Sequence, residues 1–145
     1  MVDIDSVGRT SPPFSMRVEL GKAREFARAT SWPHPEQLQD DSPVLPTFLS
    51  TQEFWHGPEA DPIVLAGLDI SRSLHAEQEF VFPSGPPRVG TRLNCTTRID
   101  QVFEKAGRRG GRMTFVVAMT EFRDEYGTLV AVSRFTGVEL GDGGA

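Results

Sequence analysis

Apolar and polar positions change period twice along this chain. Phe14, Met16, Val18 and Leu20 alternate with Ser15, Arg17 and Glu19, the period of two that a strand shows. After Gly21 the period lengthens. Ala23, Phe26, Ala27 and Thr30 fall at i, i+3, i+4 and i+7, one face of a short helix. Trp32-Pro33-His34-Pro35 ends it, because the residue before a proline is pushed out of the helical region. Residues 36–44 read as a polar loop. Leu45, Phe48, Leu49, Gln52 and Trp55 then form a mostly apolar helical face. Pro46 sits in its first turn, where a missing N–H costs nothing, and His56-Gly57-Pro58 stops it. Asp61-Pro62 caps one or two further turns ending at Gly67.

From Leu74 onward the pattern is that of strands: Leu74–Phe82, Thr91–Phe103, Met113–Arg123 and Leu129–Leu140. Leu93, Cys95, Thr97, Ile99, Gln101 and Phe103 are predicted to share one face of the second. Residues 107–111 are predicted to form a hairpin tip and 124–127 a turn in which Gly127 supplies the positive φ. Strands this long in a small chain must twist and curl. The expected architecture is α+β, a curved antiparallel sheet wrapped around one central helix near Phe48. Residues 1–13 read as a flexible arm, 14–140 as one domain and 141–145 as a disordered tail.

Composition narrows the functional classes without choosing one. The chain has 145 residues, with 15 Lys and Arg against 20 Asp and Glu, a formal charge of −5. That balance argues against a general nucleic-acid partner, since phosphate neutralisation needs a cationic surplus. No apolar run approaches the roughly 18–20 residues of a membrane span. The acidic N-terminus lacks the apolar core of a signal peptide, so a cytoplasmic location is expected without membrane insertion. One cysteine, Cys95, excludes an internal disulfide.

Several segments, in this order, resemble one family. Arg24-Glu25-Phe26-Ala27-Arg28-Ala29-Thr30 and Leu45-Pro46-Thr47-Phe48 are similar to helical segments of the MaoC-like hydratases and dehydratases. Leu74-His75-Ala76-Glu77-Gln78-Glu79-Phe80 resembles the strand that opens the family's N-terminal, FAS1-like dehydratase half, and Pro86-Pro87-Arg88-Val89-Gly90-Thr91 resembles the link that follows. The resemblance covers about residues 14–140. It implies the hotdog fold and an acyl thioester of coenzyme A or acyl carrier protein as substrate. The reaction it implies is addition of water to a 2-enoyl chain, or its removal from a 3-hydroxyacyl chain, with fatty acid metabolism as one setting.

Catalytic members of that family carry an Asp and a His shortly after the first helix. The residue types suit the chemistry: a His exchanges protons near neutral pH, and a carboxylate orients the water. Laid on that pattern, Trp32 takes the place of the Asp and Gln37 that of the His, and neither titrates usefully. A slip of one or two residues would offer His34 and Glu36 instead. The resemblance therefore implies an accessory subunit that lacks the catalytic pair and shapes the acyl tunnel beside a second hotdog chain, in a heterodimer or heterotetramer. A self-sufficient homodimer using His34, Glu36 or His75, and a non-enzymatic thioester-binding protein, are the alternatives. The expected substrate contacts are Pro46, Thr47 and Phe48 at a helix N-terminus, where free N–H groups face a developing oxyanion, together with Trp55. Arg108, Arg109 and Arg112 are candidates for a phosphate or carrier-protein contact. His56 with Glu59 and Asp61 lacks a fourth ligand, so no metal site is assigned, and no cofactor is expected.

Overall fold

The computed structural model describes residues 1–107 and 111–141. Arg108, Arg109 and four of the five tail residues lie outside them. Five antiparallel strands form one curled sheet: β1 (Phe14–Arg17), β2 (Ser73–Val81), β3 (Arg92–Ala106), β4 (Arg112–Arg123) and β5 (Leu129–Leu140), in the order β1-β3-β4-β5-β2. The α+β expectation holds. Two α-helices precede β2, α1 (Leu20–Ala29) and α2 (Pro62–Ala66). In α1 the buried face is Ala23 and Ala27, flanked by half-buried Phe26, and it joins the main core cluster. Ser31 takes a left-handed φ of 59°, and the Trp32 N–H closes the helix on Ala27 O at 2.8 Å. In α2 the Asp61 carboxylate caps the Ile63 N–H at 2.8 Å, and Gly67 ends the helix left-handed at φ 69°. The β4–β5 turn also forms as read: Asp124 Oδ1 accepts from the N–H groups of Tyr126 and Thr128, and Gly127 has φ 84°.

The segment expected to be the central helix is a 3₁₀ stretch, Phe48–Phe54, not an α-helix. Its length is bounded by Pro46 and Gly57-Pro58. Ser50 Oγ donates to Thr47 O at 2.6 Å, a side-chain bond that competes with the α-helical ladder. The segment still holds the centre of the core. Phe48 and Leu49 are buried beside Met16, Val18, Leu93, Cys95, Phe122 and Ala131.

The arm expected to be flexible is docked along β3. Gly8 N–H donates to Ile99 O at 2.8 Å, Ile99 N–H to Arg9 O at 2.9 Å and Ser11 N–H to Thr97 O at 2.8 Å. Ser11 Oγ accepts from Thr97 N at 3.0 Å, and Asp3 pairs with Arg9. β1 covers β3 only as far as Cys95. The arm satisfies the backbone groups beyond it, which explains its order.

Three register shifts interrupt the ladders, one of them between Phe122 and Arg123 beside the β4–β5 turn. The register of β3 on β4 shifts between Ile99 and Gln101. The predicted shared face therefore ends at Ile99: Gln101 is exposed, and Val102 joins the inner cluster instead. Phe103 stacks on Phe115 of the outer face, with ring centroids 5.1 Å apart, and Lys105 lies over both rings. β2 shifts likewise between His75 and Glu77.

A row of hydroxyls crosses the inner face. Thr97 pairs with Thr120 and Thr120 with Ser133 in the ladders. The Thr97 and Thr120 hydroxyls are 2.9 Å apart, and Ser133 Oγ accepts from Gln78 Nε2 at 2.7 Å. The row divides the core. Phe48, Phe122 and Cys95 lie on one side, and Ile99, Val116 and Ala118 on the other. Gly137 in β5 belongs to the second side. A Cβ there would come within 3.0 Å of the Phe135 ring and 3.2 Å of Leu68, so any larger residue requires those two side chains to shift.

Burial alone pushes the Cys95 thiol up to about 12. From its ordinary 9.0 this is three decades of thiolate, so alkylation of the native protein near pH 8 is expected to run about 1,000-fold slower than in the unfolded chain. Reaction at the unfolded rate under native conditions would contradict the burial.

Candidate functional site

Where the 3₁₀ segment, the start of α2 and strands β2, β4 and β5 converge, they enclose a cleft of about 400 Å³. That lies within the range of small-molecule sites. Phe26 of α1 and Ser50–Phe54 form one wall, with His56, Asp61, Pro62 and Ile63 beside them. Thr120, Phe135, His75 and Gln78 form the sheet side. Another hollow, of about 520 Å³, lies between Arg17, Asp41, Arg92, Asp124 and Tyr126. It is lined mainly by polar groups and by charges of both signs at loop ends, and it offers no enclosed apolar wall for an acyl chain.

The cleft has aromatic surface, and beneath its wall lie polar atoms without a partner. Thr51 Oγ1, Gln52 Oε1 and the neighbouring Trp55 Nε1 are buried without a hydrogen-bond partner, an arrangement that costs free energy unless something else supplies the bond. Thr51 is only 6% exposed. The two imidazoles each have one nitrogen committed to a backbone carbonyl. A carbonyl can only accept, so those nitrogens carry the proton: His56 Nδ1 donates to Gly57 O at 2.9 Å, and His75 Nε2 donates to Glu77 O at 3.1 Å. The His56 ring stands edge-on to Phe14 and the His75 ring lies against Phe135, with centroids 5.0 and 4.8 Å apart. The Asp61 carboxylate is engaged as the α2 cap.

The other residues singled out in the sequence are dispersed. His34 and Glu36 lie 3.5 Å apart on an exposed loop and do not line the cleft. Trp32 packs against the core. Pro46 and Thr47 are exposed outside the cleft, and Phe48 lies beneath it in the core, edge-on to Phe26 at 5.7 Å. It is the second half of the 3₁₀ segment that faces the cleft, with Trp55 half-buried at its end. Arg112 pairs with Glu104 at 3.3 Å. Arg108 and Arg109 lie outside the described residues. Among the described residues no cluster of three metal-ligating side chains forms, and no helix is long and apolar enough to cross a membrane. Thr51, Gln52, Thr120 and Phe135 belong to no motif, and Gln78 stands only as one member of the 74–80 segment. The one local trace was Gln52, a polar residue on an otherwise apolar helical face.

Residues 5–133 match the family model described as the FAS1-like, dehydratase domain region. A UPF0336 protein of Streptomyces griseus subsp. griseus is 32% identical over 143 residues, which cover 91% of each chain. The C-terminally truncated HadBC (3R-hydroxyacyl-ACP dehydratase) complex from Mycobacterium tuberculosis shares the fold with a TM-score of 0.67 and 24% identity, over 94% of this chain and 97% of that one. The ChsH1-ChsH2 complex from the same organism gives 0.69 at 14% identity, over 94% and 86%.

Proposed function

The chain belongs to the FAS1-like dehydratase domain family and has the MaoC-like hotdog fold, and from that premise we propose that it is an acyl-thioester-binding subunit whose acid–base pair comes from a second hotdog chain. One observation carries the reading. The cleft offers aromatic walls and orphaned polar atoms, yet no imidazole lining it touches a carboxylate. Both cleft histidines bond to backbone carbonyls. Among the described residues the His–carboxylate contact is His34–Glu36, outside the cleft. The similar HadBC and ChsH1-ChsH2 structures are complexes, which supports a two-chain arrangement.

In this reading the Thr51 hydroxyl and Trp55 Nε1–H are the donors left over for a thioester oxygen that gains negative charge, and Gln52 Oε1 is the acceptor left over for a hydroxyl or water. Phe26, Phe54 and Phe135 supply apolar contact to the chain next to the thioester. The reaction served is hydration of a 2-enoyl thioester or its reverse.

Titrating the purified chain with a 2-enoyl thioester is expected to change Trp55 fluorescence without hydration above background. Adding a catalytic hotdog partner is expected to raise the rate at least about 100-fold, the contribution of a positioned acid–base group. A second reading rests on the presence of His56 and His75 in the cleft: the chain catalyses the reaction alone. Turnover by the isolated chain that falls about 100-fold in His75→Ala would establish it and overturn the first.

A further inference from the structure

Resting on the reading of this chain as an acyl-thioester-binding subunit, we infer that the far end of the acyl chain seats in an apolar hollow behind His75 and Phe135, and that Gly137 sets how much chain the hollow accepts. The hollow measures about 120 Å³ and adjoins the cleft through three shared lining residues, Ile63, His75 and Phe135. Leu68, Ile70, Leu74 and Gly137 form most of the remaining wall. Ser73 also lines it, but its hydroxyl already donates to Asp69 O at 2.7 Å. The His75 ring lies against Phe135 with centroids 4.8 Å apart, so the two rings stand where cleft and hollow meet.

A chain that enters the cleft meets three surfaces, and their chemistry decides its route. One is the hydroxyl row. Thr120 lines the cleft, and Thr97 and Ser133 behind it are each 1% exposed. Beyond the row Leu93, Cys95 and Phe122 are fully buried beside Phe48. Passage there would part the Thr97–Thr120 hydrogen bond, 2.9 Å long, and displace packed core. The second surface is the rim of Glu53, His56 and Asp61. Methylenes laid on it strip water from carboxylates, which is unfavourable. The hollow is the third, and there each methylene leaves water for apolar wall.

Gly137 is the ladder partner of His75. A Cβ at this position would stand 3.0 Å from the Phe135 ring and 3.2 Å from Leu68 Cδ1, and both side chains line the hollow. An alanine methyl would therefore narrow the hollow, either by its own volume or by displacing those two walls. A cavity of roughly 150 Å³ lined by Leu, Ile and Phe takes benzene, so the present space suits about four carbons. Ile70 and Leu74, 70% and 60% exposed, leave its outer side open. A longer chain runs out into solvent and gains nothing more. The substrate class is thus a thioester with an unbranched apolar tail, bound more tightly up to a set length and equally well beyond it.

The test is calorimetric titration of the full chain with saturated acyl-coenzyme A thioesters of two to twelve carbons, which undergo no hydration. The headgroup is constant, so differences along the series report the tail. Wild type is expected to gain about fourfold in affinity per carbon over roughly four successive carbons and then to level off. Gly137→Ala is expected to bind the two-carbon thioester within about twofold of wild type and the plateau chains at least about tenfold more weakly. Leu74→Ser, at an exposed position, is expected to weaken the plateau chains at least about fourfold, which keeps the inference testable if the glycine variant misfolds. Affinity that ignores tail length, that climbs without levelling, or that rises identically in wild type and both variants overturns the inference. The two readings fail separately. Binding without length dependence sinks only the seat, whereas no binding at any length sinks the thioester reading and the seat with it.

Discussion

Replacing Phe48 by Ala is expected to lower stability by about 3–5 kcal/mol, a large share of the ~5–15 kcal/mol that holds a domain folded. Phe48 is 1% exposed and stands edge-on to Phe26. It sits where the 3₁₀ segment meets the core residues of α1, β3 and β4, so its removal leaves a void bounded by rigid backbone on several sides. The control is Phe54→Ala, six residues on. Phe54 is 68% exposed, with Lys22 over its ring at 4.6 Å. Its loss is expected to cost no more than about 1 kcal/mol, the scale of an exposed cation–π contact. Urea unfolding with an unchanged slope measures both. Equal losses at the two positions would show that the 3₁₀ segment is not the centre of the core.

Arg72→Ala is the second large expectation, at about 2–4 kcal/mol. The Glu139 side chain is 5% exposed, with Oε1 3.2 Å from Arg72 Nη2 and Oε2 accepting from the Asp69 N–H at 2.9 Å. Removing the cation strands a buried carboxylate, which in a fully buried pair costs about 3–5 kcal/mol. Arg72 is itself partly exposed, and the Met1 ammonium lies 3.7 Å from Glu139, so the lower range is expected. Adding Glu139→Gln to Arg72→Ala should restore part of the loss. A double-mutant coupling below about 0.5 kcal/mol would mean that the two side chains act independently. Asp69 belongs to the same corner. The Ser71 hydroxyl and N–H, and then Arg72, hold its carboxyl below the ordinary range. That contribution to folding is complete above the unfolded value of 3.8 and is lost as the pH falls through the lower native one.

What could be read locally was read correctly at α1, at the capped α2 and at the β4–β5 turn, because each depends on neighbours within a few residues. The docked arm could not be read that way. Its order depends on Ser11 meeting Thr97, 86 residues away, and a run of polar residues ending in two prolines carries no mark of that partner. The shift after Ile99 has the same origin. Simple alternation placed Gln101 and Phe103 inward, whereas the pairing of β3 with β4 turns both away. The Phe48 helix was legible as an apolar face. Its narrowing to 3₁₀ geometry followed from the competing Ser50 hydroxyl and from its short span between prolines.

The candidate site divides along the same line. By itself the sequence determined the strand and helix order and the family resemblance, since residue types and their spacing are local facts. Only the tertiary structure decided where the cleft lies. It drew Thr51 and Gln52 from a helical turn, His75 and Gln78 from an edge strand, and Thr120 and Phe135 from the middle of the sheet into one space. It left Pro46, Thr47, His34 and Glu36 outside. The physical reason is that a residue's type limits the chemistry it can do, while the closure of the sheet around the core decides which types meet.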